Sequence, residues 1–359
     1  MMRWVTPVLF VLAALLFLAT SVCENMNFQT APPAPNADKV IRVEVPVGLP
    51  PIPATANAAP TQGRFELGRR LFYDKNLSID GSVSCAVCHN PRFGFSDNRV
   101  VAEGAGGAKG TKNSSTILNV AFGKAFFFDG RATSLEEQAA VPLLNPKEMG
   151  NSREALEKRL NDNSIYRLMF ERAYGPGAIT VEKVSQALAV FQRLILSGNS
   201  AYDRYMYLGN RRAISQEAIR GLDLFTKRAN CAVCHQLGKE FALFTDGQFH
   251  NLGVGADAQG RLADSGRYNV TKNEADRGAF KTPTLRNITQ TRPYMHDGSL
   301  TSLATVIEFY NDGGRSNPHL SRLIRPLNLS AQDKIDLLAF LESLTGEPQP
   351  HLGPPEGEQ

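Results

Sequence analysis

At 359 residues the chain has room for two domains of ordinary size. Lys and Arg total 39 against 35 Asp and Glu, a net charge of +4. That balance is too small to indicate nucleic acid or an acidic membrane surface as a partner.

In chain order, the first segment has the layout of a secretory signal. Met1 to Trp4 carry one positive charge, Val8 to Ala19 are almost wholly apolar, and Ala19, Thr20 and Ser21 are small. The apolar run is short for a membrane span. Residues 1–22 therefore read as a signal that sends the protein to the periplasm, the alternative being an uncleaved anchor that tethers it to the inner membrane. Cys23 invites a lipoprotein reading, but Val22 before it is the wrong size for that processing site. Residues 23–62, rich in Pro and Ala from Ala31 to Pro60, read as a semi-rigid linker or strap.

Four of the five cysteines form two copies of one pattern: Cys85-Ala86-Val87-Cys88-His89 and Cys231-Ala232-Val233-Cys234-His235. C-x-x-C-H is a haem-attachment signature. The two sulfurs clasp the porphyrin edge as thioethers, and the adjacent histidine becomes the proximal iron ligand. A thioredoxin-like dithiol or half a zinc site would need neither His89 nor His235. Two covalently bound haem c groups are expected.

Helical patterns flank both motifs. Gly68-Arg69-Arg70-Leu71-Phe72 precedes the first and Gly221-Leu222-Asp223-Leu224-Phe225 the second, an internal repeat. Ala218, Gly221, Leu222 and Phe225 share one helical face, and Gly221 lets another helix cross closely. Val184, Leu188, Phe191 and Ile195 form a partner stripe. Leu337, Leu341 and Leu344 form another, opened by Ser330 as N-cap with Asp333 in the first turn. No alternating strand pattern of useful length appears. The expected class is all-α: two cytochrome c-like helical domains, 63–207 and 208–348, with a tail at 349–359.

The chain resembles the bacterial di-haem cytochrome c peroxidases, including the MauG-like enzymes. The resemblance runs from about Gly63 to Gly346. Besides the haem motifs it rests on the runs Glu66–Asp74, Asn113–Asn119, Phe127–Arg131, Thr282–Asn287 and Pro293–Gly298. It implies that the N-terminal haem reacts with hydrogen peroxide and that the C-terminal haem relays electrons from a donor protein.

His89 is the only histidine before His235, so the first half cannot supply a second histidine to its own iron. Many relatives carry a distal histidine in the loop after the first motif. Here that loop, Val100 to Lys112, has none, and Ala105 stands about where it would fall. An open haem face is expected, with Met149 as the rival distal ligand. Without a distal histidine, a carboxylate must carry the proton in peroxide cleavage. The resemblance implies Gln138 and Glu148, ten and twenty residues beyond Phe128. Thr133 with Glu136 reads as a capping box that would place Gln138 in the first turns of a helix.

For the second haem the resemblance implies a sixth ligand seventeen residues beyond Pro293, at Tyr310. MauG-like members have tyrosine there and peroxidases methionine. No methionine follows Met295. A phenolate lowers the iron potential, whereas a buried structural tyrosine is the plainer alternative. His296 and His250 are rival ligands. His296 is expected against a haem edge or propionate, and His250 in a loop near the same haem. The resemblance also implies one calcium ion between the haems, held by the Asn113 side chain and the carbonyls of Thr291 and Pro293.

Two departures stand out. The family usually has tryptophan where Phe128 stands between the haems, and a tryptophan is also missing at Ala229, before the second motif. The expected function is a periplasmic di-haem peroxidase fed by a small cytochrome c or a copper protein. The alternatives are a MauG-like oxidase that modifies side chains of a partner protein, and a di-haem electron carrier.

Overall fold

The computed structural model describes residues 39–54, 60–347 and 351–355. The expected signal and Cys23 lie outside the described residues. The architecture is mostly helical with little sheet, in agreement with the sequence. In the first half the helices are α1 (Gln62–Tyr73), α2 (Cys85–Cys88), α3 (Leu135–Leu144), α4 (Arg153–Asp162), α5 (Ser164–Tyr174) and α6 (Val181–Arg193). Helix α7 (Ala201–Tyr207) leads into α8 (Gln216–Thr226), α9 (Tyr268–Thr271), α10 (Leu303–Asn311) and α11 (Ala331–Glu342).

The repeated glycines explain the helix pairs. A Cβ on Gly68 of α1 would lie 2.1 Å from the carbonyl oxygen of Ala187 in α6, and one on Gly221 of α8 would lie 2.0 Å from that of Asp336 in α11. Each half thus closes a helix before its haem motif onto a later helix, backbone against backbone. Around each pair sits an apolar core. Leu67, Leu71, Phe72, Leu188 and Phe191 pack in the first half, and Phe225, Phe244, Leu337 and Phe340 in the second. Ser330 and Asp333 form the capping box expected for α11. Ile195 and Leu344, read as members of helical stripes, lie just beyond the helix ends yet are fully buried.

Two expectations need correction. The cap of α3 is one residue later than Thr133 with Glu136. Ser134 accepts from the Glu137 amide, and Glu137 reaches back to the Thr133 amide at 2.8 Å. Both Thr133 and Ser134 are good caps, and the chain uses the one adjoining buried Leu135. A strand pair was also missed: β1 (Phe249–His250) lies antiparallel to β2 (Phe280–Lys281). Two residues per strand are too few to show alternation.

Before α1, residues 39–54 form a strap that touches both halves. The Val47 carbonyl accepts from Asn199, and the Gly48 carbonyl accepts from Ala242 and from Arg286. Arg286 and Asp203 form a completely buried ion pair beneath it. A Cβ on Gly48 would sit 2.0 Å from the Asp203 carboxylate, and its φ of +88° also favours glycine.

Candidate active site

Both C-x-x-C-H motifs open onto one cavity of about 980 Å³ that runs through both halves. That is at the upper end of the roughly 300–1,000 Å³ common for ligand pockets. Cys85, Cys88, Cys231 and Cys234 are free thiols on its wall. Burial pushes Cys85 and Cys231 up to about 12, and Cys88 and Cys234 up to about 11. They are neither paired as disulfides nor poised as thiolates, which suits thioether attachment and does not suit dithiol redox chemistry.

The two histidines are held alike. His89 Nδ1 lies 3.2 Å from the Phe95 carbonyl and His235 Nδ1 2.9 Å from that of Phe244. Phe95 and Phe244 both adopt left-handed backbone, φ 58° and 52°, which turns their carbonyls toward the rings. A carbonyl at Nδ1 fixes the proton there and leaves Nε2 as the metal-binding atom. Burial pushes both imidazoles toward the neutral form that a metal needs. This donor set fits a haem in each half.

A longer internal repeat joins the two sites. Residues 113–142 match 281–310 without a gap at a shift of 168 positions. Asn119 and Asn287 both have left-handed φ, 61° and 57°. Phe126 bridges Ala132 as Tyr294 bridges Leu300, and Ser134 caps α3 as Ser302 caps α10. The halves also exchange equivalent hydrogen bonds: Asn113 N–H donates to His296 O at 2.9 Å, and Lys281 N–H to Phe128 O at 2.8 Å. Under this repeat Tyr310 of α10 corresponds to Pro142 of α3. The same place on the wall carries a phenol in the second half and a side chain with no donor atom in the first.

Tyr310 lines the cavity together with Cys231 and Cys234. Burial raises its pKa well above the ordinary phenol value. Its hydroxyl has no hydrogen-bond partner among the described residues, so a donor is left for whatever occupies the cavity beside the second motif. His250, expected in a loop, lies instead on β1, with Nε2 2.8 Å from Asp246 Oδ2. His296 is buried and stacked on Phe280, ring centroids 3.6 Å apart, with Phe128 edge-on at 6.4 Å. Phe128 and His296 are repeat mates and meet where the halves join.

On the first side, Gln138 and Glu148 both line the cavity. Gln138 stands in the first turns of α3, its amide bonded to Ser134 O at 3.0 Å. Glu148 sits in the tight turn after Asn145. Asn145 Nδ2 donates to Glu148 Oε1 at 2.7 Å, and the Glu148 amide donates back to Asn145 O at 2.9 Å. Burial raises the carboxyl above its usual range, only partly offset by Asn145 and by the Arg131 guanidinium. The loop without histidine packs behind it: Ala105 N–H donates to Glu148 O at 2.7 Å. Met149 is buried, bonds through its amide to Pro142 O at 3.1 Å and also lines the cavity.

Asn113, Thr291 and Pro293 all line the cavity. Asn113 Nδ2 is committed to the Arg99 carbonyl at 2.7 Å, so its side-chain oxygen is the atom left for a cation. Asn145 and Pro142 read in the sequence only as stiffening the turn before Glu148; their parts in the site, and that of Lys281, escaped it. Asn145 left no signal beyond the turn, but the 168-residue shift could have found Pro142 and Lys281, through the shared Asn, Asp-Gly and Thr-Ser-Leu positions.

Residues 62–211 match the family described as di-haem cytochrome c peroxidase. The methylamine utilization protein MauG of Methylorubrum extorquens is 42% identical over 80% of this chain and 80% of its own. The cytochrome-c peroxidase IdrP1 of Pseudomonas sp. strain SCT is 36% identical, covering 85% of this chain and 87% of its own. Among solved structures, a MauG-like protein associated with microbial copper homeostasis is similar, with a TM-score of 0.78 and 34% identity. It covers 88% of this chain and 99% of its own.

Proposed function

The chain belongs to the di-haem cytochrome c peroxidase family, and from that premise we propose a MauG-like periplasmic peroxidase that takes hydrogen peroxide on the His89 side and electrons on the His235 side. Membership makes it a peroxidase-type oxidoreductase and implies two haem c groups. The haems, when bound, supply the iron redox chemistry and the storage of oxidising equivalents. Everything else falls to the chain's own residues.

His89 and His235 would hold the two haem irons, each ring oriented by a backbone carbonyl. Pro142 offers no ligand on the first side, so peroxide can enter there. Cleaving its O–O bond heterolytically moves a proton from the inner to the outer oxygen. Glu148 carries that proton, its carboxyl raised by burial above the usual carboxylate range. Asn145 fixes one carboxylate oxygen and leaves the other for the substrate. Gln138 orients the peroxide. Tyr310 would hold the second haem's iron through its phenol oxygen and would keep that half for electron transfer. Phe128 and His296, packed edge to face, stand between the two halves. Asn113, Thr291 and Pro293 would hold one calcium ion there. Electrons come from a small cytochrome c or a copper protein.

The observation that carries this reading is the contrast of Pro142 with Tyr310 at one repeat position. An electron carrier would fill both sites. The test is peroxide-dependent oxidation of a reduced small cytochrome c or copper protein by the purified holoprotein. Sustained turnover supports the enzyme, and electron exchange without peroxide consumption would leave a carrier.

Tyr310 together with 42% identity to a MauG protein favours a second reading, oxidation of a partner protein's side chains. Mass spectrometry of such a partner after peroxide treatment separates the two enzymes.

A further inference from the structure

Lys281 presents a cation that no side chain among the described residues neutralises. It lies on β2, opposite Phe249, and lines the cavity where the two halves meet. Among the described residues its ammonium has no hydrogen-bond or ion-pair partner. Burial alone acts on it and pushes its pKa down. Of the other cations on the cavity wall, Lys112 is paired with Asp264 and Arg131 holds Asp129 at 3.0 Å, while Lys124, Lys147 and Arg325 are exposed to solvent. Lys281 is half-buried, with its side chain on the cavity wall, and an ammonium in such a place is normally paired with a counter-charge.

The backbone around Lys281 is firmly placed. Its N–H donates to Phe128 O at 2.8 Å, and the next residue, Thr282, donates to Gln248 O at 2.9 Å. The carbonyl of Pro283, two residues on, bears on the His235 ring. The 168-residue repeat adds a second, independent argument. Lys281 corresponds to Asn113, whose N–H makes the mirrored bond to His296 O at 2.9 Å. At this paired position one half carries a neutral amide and the other a fixed positive charge. Such a charge facing a cofactor cavity calls for an anion that arrives with the cofactor.

We propose that Lys281 is the counter-ion of a propionate carboxylate on the haem attached in its own half, at Cys231 and Cys234. This rests on the two-haem reading above and adds a binding residue to it. The pairing holds the ammonium protonated and the carboxylate ionised. It also places a positive charge near the second iron, which favours the reduced state and counteracts the potential-lowering effect of the Tyr310 phenolate. Lys281 thereby sets how readily the second haem accepts an electron from the donor.

The test compares Lys281→Met and Lys281→Arg with the parent holoprotein. Intact mass on each establishes that both haems are attached, and redox titration followed by absorption then reads each midpoint potential. The Met variant should shift the second haem to a more negative potential and make it vary with pH around neutrality, because a propionate without its partner takes up a proton on reduction. The Arg variant should stay close to the parent. Unchanged potentials and pH dependence in a fully loaded Met variant would overturn the proposal and leave the two-haem reading intact. A shift confined to the His89 haem would overturn the assignment equally. Absence of haem from the parent would defeat the underlying reading instead.

Discussion

Replacing Glu148 by Gln isolates its proton from its shape. Asn145 Nδ2 donates to Oε1 at 2.7 Å, and the glutamine carbonyl can accept that bond unchanged. The new amide nitrogen then stands where Oε2 faced the cavity, so orientation survives while proton transfer does not. Removing a general acid–base group typically costs 10²- to 10⁴-fold. At about 1.4 kcal/mol per factor of ten, that is roughly 3–5 kcal/mol of barrier. Stability should not suffer. The folded-state pKa of Glu148 is raised, so its protonated form is favoured by the fold at low pH. That contribution is lost as pH rises through the folded pKa, and the variant removes a buried charge at neutral pH. In the parent, turnover should rise with pH through a limb above the usual carboxylate range, and the variant should lack this limb. Stopped-flow peroxide consumption, with haem content checked by mass, measures both. Turnover within a few-fold of the parent, with the limb still present, would refute the role given to Glu148.

Tyr310→Phe should change the absorption of the second haem and raise its potential. An unchanged spectrum would move the ligand to His296 or Met295. Gly221→Ala forces a methyl to within 2.0 Å of the Asp336 carbonyl, and backbone yields poorly. A loss of about 1–3 kcal/mol is expected by denaturant titration, and an unaltered midpoint would contradict the close helix crossing. Removing calcium with a chelator should lower peroxide turnover and change electron transfer between the haems, with calcium restoring both; no bound calcium by elemental analysis would dismiss the Asn113 site.

Much of this was legible in the sequence because the chemistry is local. Cys-x-x-Cys-His carries its own meaning, and Gly221 announced a helix crossing through its place on an apolar face. The α11 cap was readable because Ser330 has no competing neighbour. The α3 cap was not, because Thr133 and Ser134 are adjacent and equally suited; contact of Leu135 with the core decides between them. Lys281 was invisible because nothing local distinguishes a lysine facing a cavity from one facing water. The longer repeat stayed hidden because its halves diverge at the functional positions, Pro142 against Tyr310 and Asn113 against Lys281.

The central claim is that the His89 haem is open to peroxide in the resting protein. It is tested by adding one equivalent of hydrogen peroxide to the purified ferric holoprotein and following its absorption spectrum. The account predicts a rapid spectral change with no prior reduction. A spectrum that stays ferric until the second haem has been reduced would contradict it, and would mean that another residue, Met149 first among them, occupies the distal face.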